Sequence, residues 1–217
     1  MNPLDKNSPI SYLSVGEMRP SEIIIEKSRF LGFACPVSSI EEVELYLEEY
    51  RKRYKDASHL CFAYIIGQGG LIMRASDDGE PSGTAGVPIL EVLKKENLTD
   101  TLVMVVRYFG GTKLGSGGLI RAYSKSAKES IEKSGIFCYE KHYPMKLVVD
   151  YSLSGGISHL IKEKNWQLKN QVFTDKVTYH LEILERERDE VEATLIDFTK
   201  NQLDISYEDL IYLPNRR

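Results

Sequence analysis

From Thr101 to Lys128 the chain carries no Asp or Glu, yet it holds Arg107, Lys113, Arg121, Lys125 and Lys128. Within this run, Arg107-Tyr108-Phe109-Gly110-Gly111-Thr112-Lys113-Leu114-Gly115-Ser116-Gly117-Gly118 reads as a strand end, a glycine-rich loop and a helix start. That order points free backbone N–H groups and the positive end of a helix dipole at one place, which is chemistry for an anion. Glycine allows positive φ and lets a ligand come close to the backbone. On a helix of 3.6 residues per turn, Arg121, Lys125 and Lys128 fall within about 60° of arc. Ile120, Tyr123, Ala127 and Ile131 form the neighbouring apolar face. The expected anion-binding set is therefore Arg107, Tyr108, Gly110, Gly111, Lys113, Gly115, Ser116, Gly117, Gly118, Arg121, Lys125 and Lys128. The pattern also describes a sharp turn with a solvated basic flank, and it does not say which anion.

A second segment, Asp77-Asp78-Gly79-Glu80-Pro81-Ser82-Gly83-Thr84-Ala85-Gly86-Val87-Pro88, sets three carboxylates within four residues. Asp77, Asp78 and Glu80 could hold a hard cation such as Mg²⁺ through oxygen, or accept hydrogen bonds from a basic partner. Asp-Gly and Glu-Pro are equally turn dipeptides whose carboxylates are solvated. Ser82, Gly83, Thr84 and Gly86 add hydroxyls and bare backbone. His59 begins the strand Leu60 to Ile66, where it could serve as a base or a ligand. The expectation is that these residues form a second loop facing the basic one. His142, His159 and His180 show no metal spacing. A GxSxG elbow, a Walker loop and a GxGxxG after a first strand are all missing.

These residues need elements to position them. Ile23–Ile25 and Phe30–Ala34 read as strands around Lys27-Ser28-Arg29. Ser39 with Glu42 makes a capping box, followed by Val43, Tyr46, Leu47, Tyr50 and Tyr54 at helical spacing. Leu60–Ile66 and Leu71–Ala75 are strands joined by glycine turn chemistry. Pro88 opens a short helix to Leu93. Thr101–Phe109 is apolar on both alternating faces, which predicts a central strand covered on both sides. A helix then runs from about Gly118 to Lys133. Further on come a strand (146–151), a helix (154–164), two strands (166–173 and 176–184), a helix (188–200) and a strand (205–213). That β-α-β-β-α-β order is the ferredoxin-like split βαβ unit.

The 217 residues allow one large domain or two small ones. Eleven of the 16 glycines lie between Gly67 and Gly118. This skew, with the segment Tyr139 to Pro144, puts an expected boundary near 141: a polar tail over 1–18, a first domain over 19–141 and a second over 142–217. A net charge of −4 argues against indiscriminate binding to nucleic acid or anionic membrane. No apolar run reaches the ~20 residues that span a bilayer, and the start lacks a signal-peptide pattern. Three widely spaced cysteines without a CxxC fit small buried hydrophobes in a reducing cytoplasm, the expected location.

Three stretches occur without a break: H-x-x-x-A-Y-x-x-G at His59–Gly67, D-D-G-E-P-x-G-T-A-G-x-P at Asp77–Pro88, and R-Y-F-G-G-x-x-L-G-x-G-G-L-x-R-A-Y at Arg107–Tyr123. On these the chain resembles the IMPACT/YigZ family over roughly residues 20–135, and it looks like the bacterial branch because the RWD domain of the eukaryotic members is missing. The resemblance implies an α+β protein of two domains. The first would share the fold of the second domain of ribosomal protein S five and of the GHMP kinases. The second would be ferredoxin-like, similar to the last domain of elongation factor G. Eukaryotic members are linked to translational control under stress through a large activator of an eIF2 kinase, an association that depends substantially on the RWD domain.

The reading followed here is a non-catalytic factor, without a cofactor, that contacts RNA or a ribosomal component through the basic loop and modulates translation. In it Tyr108 and Phe109 would stack bases, and no DNA specificity or membrane contact is expected. One alternative is an enzyme that binds a nucleotide or phosphorylated small molecule with Mg²⁺ in a GHMP-kinase-like site, although the paired serines and alanines of that loop are missing. Another is a regulatory module docking a protein through residues 142–217, whose helix is acidic from Glu185 to Glu192.

Overall fold

The computed structural model describes residues 11–67 and 70–216. The chain forms two compact units, one built on residues 12–139 and the other on 140–213. Both mix helices with antiparallel strands, so the α+β expectation holds.

The first unit opens with β1 (Ser11–Val15), β2 (Ser21–Ile25), β3 (Ser28–Pro36) and α1 (Ile40–Arg53). It continues through β4 (His59–Ile66), β5 (Ile72–Ser76), α2 (Gly86–Lys95), β6 (Thr101–Tyr108) and α3 (Gly115–Ser134). Five strands make an antiparallel sheet in the order β2-β3-β6-β4-β5. β6 is central and buried from Thr101 to Arg107. Its alternate residues Leu102, Met104 and Val106 pack with α1 through Val43, Leu47 and Tyr50. Val103 and Val105 pack on the other face with Ile89 and Leu93 of α2 and with Leu119, Ala122, Tyr123 and Ala127 of α3. Burying β6 on both faces is what keeps Leu102 to Val106 apolar between the hydrogen-bonded Thr101 and Arg107.

Three expectations need correction here. Residues 11–18 are not all tail: Ser11–Val15 is β1, with Val15 fully buried and Ser14 nearly so. Residues 1–10 lie outside the described residues. The capping box is shifted: Ser39 Oγ accepts from Glu42 N–H at 3.3 Å, but the Glu42 carboxylate takes the N–H of Ser38 at 2.6 Å, not that of Ser39. α3 starts at Gly115, one turn before Gly118: Gly115, Ser116 and Gly117 are exposed, and glycine's low helix propensity is only a weak prior on where a helix begins.

The second unit contains β7 (Ile136–Val149) from residue 140 onward, α4 (Tyr151–Glu163), β8 (Gln167–Phe173), β9 (Val177–Leu184), α5 (Arg188–Thr199), β10 (Asp204–Tyr207) and β11 (Ile211–Arg216). β10 pairs with β7, β7 with β9 and β9 with β8, all antiparallel. This is the β-α-β-β-α-β connectivity with the first and third strands adjacent. One side of the sheet packs on α4 and α5 through Leu147, Tyr179, Leu181, Ile157 and Leu195. Tyr139–Pro144, the segment at the expected boundary, lies inside β7, with Lys141 and His142 buried. Lys141 reaches Glu185 at 3.6 Å, which lets a charged residue sit inside a strand. The strand expected over 205–213 is two strands, β10 and β11.

Candidate functional site

Period-2 alternation puts Arg107 on the same face of β6 as Val103 and Val105, under α3. Its guanidinium lies between the rings of Phe30 and Phe109, at 5.3 and 5.5 Å from their centroids. Nη1 donates to Glu80 Oε1 at 2.5 Å and Nη2 to Ser28 Oγ at 3.2 Å. The same Glu80 oxygen accepts from Tyr123 Oη–H at 2.7 Å. Arg107 is 4% exposed and Glu80 8%. Arg107 is therefore not a phosphate contact. It is an internal brace, and Glu80 from the acidic loop is its counter-charge. Through this pair and Tyr123 the acidic loop, the end of β6 and α3 meet at one end of the unit. Burial also raises the Tyr123 phenol far above its ordinary range, so it stays a donor.

The glycine loop turns outward from that brace. A Cβ on Gly110 would lie 2.0 Å from the Lys27 carbonyl carbon, so only glycine lets the loop cross the β2–β3 turn this closely. Ser28 Oγ accepts the Gly110 N–H at 3.2 Å. Gly111 (φ +86) and Gly115 (φ +67) take left-handed backbone and have nothing within 4 Å of a built Cβ. α3 then begins with no side-chain cap and no acidic residue in its first turn. The opening N–H groups of a helix have no intrahelical acceptor. Here they lie with the exposed Ser116 and Gly117 and the half-buried Gly118. Lys113 is exposed, and Arg121 sits close enough that its Nη1 would be 3.7 Å from a Cβ on Gly117.

Lys125 and Lys128 do not extend this patch as free cations. Glu129 lies 3.9 Å from Lys125 and Glu132 lies 3.6 Å from Lys128, each one turn on and just past the acid-free run. Tyr108 is half-buried, donates to Asp56 Oδ1 at 3.1 Å and has the Arg29 guanidinium 5.8 Å over its ring. Phe109 is 49% exposed, and its N–H donates to Ser58 Oγ.

The acidic loop spends its carboxylates on different tasks. Asp77 accepts N–H groups from Gly83, Ala85 and Gly86 at 2.8–2.9 Å, closing the loop and capping α2. Burial pushes its carboxyl up, but those three donors outweigh it and hold it below the ordinary carboxylate range. Asp78 Oδ2 accepts the Leu60 N–H at 2.6 Å. The Asp78 carbonyl accepts from His59 Nδ1 at 2.8 Å, and His59 Nε2 lies 3.9 Å from Glu80 Oε1. Since a carbonyl can only accept, Nδ1 carries the proton. Thr84 is buried and donates to the Pro81 carbonyl at 2.6 Å. Ser82 is exposed, Gly83 takes φ +74, and Gly86 would meet the Ser76 backbone if it had a Cβ. Among the described residues, no three of His, Cys, Asp and Glu are grouped to hold a metal ion.

Sequence reasoning missed Ser28 and Tyr123 as working polar groups. The signal was present: a tyrosine on the buried face of a helix needs a partner for its hydroxyl. Cys61 completes this region: its Sγ lies 3.0 Å from the Asp77 carbonyl and 3.4 Å from Tyr123 Oη, and its one S–H serves either acceptor. Burial pushes its thiol up to about 12, in line with a small buried hydrophobe.

Fold and site together define a two-domain α+β protein with a glycine-rich loop and a helix start locked to an internal Glu–Arg brace. Residues 26–131 match the Impact N-terminal domain, and residues 147–202 match a domain of unknown function (DUF1949). IMPACT family member YvyE of Bacillus subtilis (strain 168) is 41% identical over 203 residues, spanning 94% of each chain. IMPACT family member YigZ of Escherichia coli (strain K12) is 29% identical over 186 residues, 83% of this chain and 90% of that one. Protein IMPACT of Oryctolagus cuniculus is 31% identical over 94 residues, 41% of this chain and 29% of that protein. A solved structure titled "Crystal structure of an hypothetical protein" is similar at TM-score 0.59 and 27% identity, covering 93% of this chain and 98% of that one. The chain belongs to the IMPACT family.

Proposed function

We propose that this chain is a non-catalytic binding protein that takes RNA phosphates at the start of α3 and acts on a ribosomal or other translation component. The observation that carries the reading is the first turn of α3: uncapped, free of acidic residues and flanked by the exposed cations Lys113 and Arg121. Helix N-termini with free N–H groups favour anions, and a cation on either side adds to that field. The neighbouring α2 meets its own N-terminal requirement internally through Asp77. Exposed Phe109 offers a ring beside the loop, and base stacking on such rings tolerates any sequence. Net acidity argues against indiscriminate RNA contact and for local basic sites such as this one. The link to translation rests on the family resemblance.

The test is titration of labelled single-stranded RNA at low salt with wild type and a Lys113→Ala/Arg121→Ala variant of unchanged melting temperature. Binding by wild type that weakens at least tenfold in the variant supports the reading. Equal binding by both proteins, or none by wild type, overturns it.

A further inference from the structure

On the α1 side of the sheet, where β2 and β3 run past the end of α1, lies a cleft of about 380 Å³. That volume is at the lower end of sites that hold small organic groups. Phe33 is among the residues that line it. Tyr54, the residue that ends α1, has its ring 5.6 Å from that of Phe33 and is only half-buried. Tyr108 lines the same cleft, and its ring carries the Arg29 guanidinium. Arg29 Nε and Nη2 donate to the two oxygens of Glu22, at 2.6 and 3.3 Å. Lys133 of α3 also lines the cleft and gives one N–H to the Pro20 carbonyl at 3.2 Å.

We infer that this cleft receives a single nucleobase carrying a phosphate. The inference rests on the RNA-binding reading above and deepens it. An aliphatic side chain would leave the Glu22–Arg29 pair and Lys133 facing apolar atoms, at the cost of desolvating them. A cationic side chain would meet Arg29 and Lys133. A bare inorganic anion would use none of the aromatic surface. A nucleobase uses all three parts. Its flat faces stack on tyrosine. Its edge carries donors and acceptors side by side, matching the carboxylate and guanidinium of Glu22 and Arg29. The two remaining N–H groups of Lys133 meet the phosphate. Tyr108 is also the residue after Arg107 and directly before Phe109, Gly110 and Gly111. The cleft and the glycine loop therefore begin at the same end of β6, on its two faces.

The base can come from single-stranded RNA or from a free nucleotide, and the experiment separates the two. Full-length wild type, Tyr54→Leu, Tyr54→Phe and Lys133→Gln are titrated with a labelled 12-nucleotide RNA and with an abasic oligomer of equal length. AMP is titrated separately, with tyrosine ring resonances as readout. Tyr54→Leu keeps apolar packing and removes the ring; Tyr54→Phe restores it. Lys133→Gln changes a side chain that stays at the surface. RNA binding should weaken roughly tenfold in Tyr54→Leu, recover in Tyr54→Phe and fall in Lys133→Gln, with the abasic oligomer indifferent to Tyr54. If Tyr54→Leu binds RNA like wild type while Lys113→Ala/Arg121→Ala does not, the cleft is refuted and the loop reading survives. If AMP shifts the Tyr54 and Tyr108 resonances and RNA does not compete, the cleft stands and the RNA reading falls. If neither RNA nor AMP moves those resonances, the cleft assignment is overturned.

Discussion

Removing Glu80 should cost the first unit more than any surface change, because it strands a buried guanidinium. The side chains of Glu80 and Arg107 are 4% and 5% exposed and meet at 2.5 Å. Breaking one partner of such a pair costs about 3–5 kcal/mol, since the other charge stays buried without compensation. Tyr123 loses its acceptor as well and keeps only the weak sulfur partner Cys61. A unit of about 130 residues, at ~2.1 cal/mol/K of unfolding entropy per residue, loses roughly 4 °C per kcal/mol. Glu80→Leu should therefore lower its melting temperature by roughly 10–20 °C. The decisive variant is the double, Glu80→Leu/Arg107→Met. With both charges gone no ion is stranded, so the double should melt above Glu80→Leu alone despite carrying one more substitution. Circular dichroism melts of wild type, both singles and the double read this directly. A Glu80→Leu protein melting within about 3 °C of wild type, or a double whose loss equals the sum of the singles, would refute the brace.

Two other consequences follow from the loops. The carboxyl of Asp77 is held below its ordinary value in the folded chain, so its stabilisation is complete above the unfolded aspartate value, about 3.9. It is lost as pH falls through the lower folded value. The stability gap between wild type and Asp77→Asn, about 0.5–2 kcal/mol near neutrality as for a lost helix cap, should close below about pH 4; urea titrations across pH 2–7 would show a constant gap if the three N–H bonds do not matter. Gly110→Ala should be strongly destabilising because its Cβ meets backbone at 2.0 Å, whereas Gly117→Ala, whose nearest neighbour is the mobile end of Arg121 at 3.7 Å, should be neutral or gain up to about 1 kcal/mol of helix propensity. Equal melting temperatures for the two variants would contradict the close approach of the loop to Lys27.

Where a signal was local, the sequence carried it. The period of Val43, Leu47 and Tyr50 marks α1, the apolar run from Thr101 marks a doubly covered strand, and the β-α-β-β-α-β order marks the second unit. What was hidden depended on long-range partners. β6 is apolar on both faces, so its pattern does not say which face Arg107 joins, and only the fold brings Glu80 to it from 27 residues away. Lys125 and Lys128 read as free cations because their glutamates stand one turn beyond each lysine, just outside the acid-free run. The polar look of Ser11–Val15 and of Tyr139–Pro144 concealed strands, since alternating polar residues and a paired lysine satisfy a sheet as well as they satisfy water. Tyr123 was counted as apolar because a helical period registers where a side chain faces, not what its hydroxyl meets.

The central claim is phosphate contact by Lys113 and Arg121 at the start of α3. Its most direct test is the slope of log affinity for single-stranded RNA against log salt, measured for wild type and Lys113→Ala/Arg121→Ala. Each phosphate neutralised contributes about 0.7 to that slope, so the account predicts a variant slope shallower by about 1.4 with folding unchanged. Identical slopes in the two proteins would contradict it.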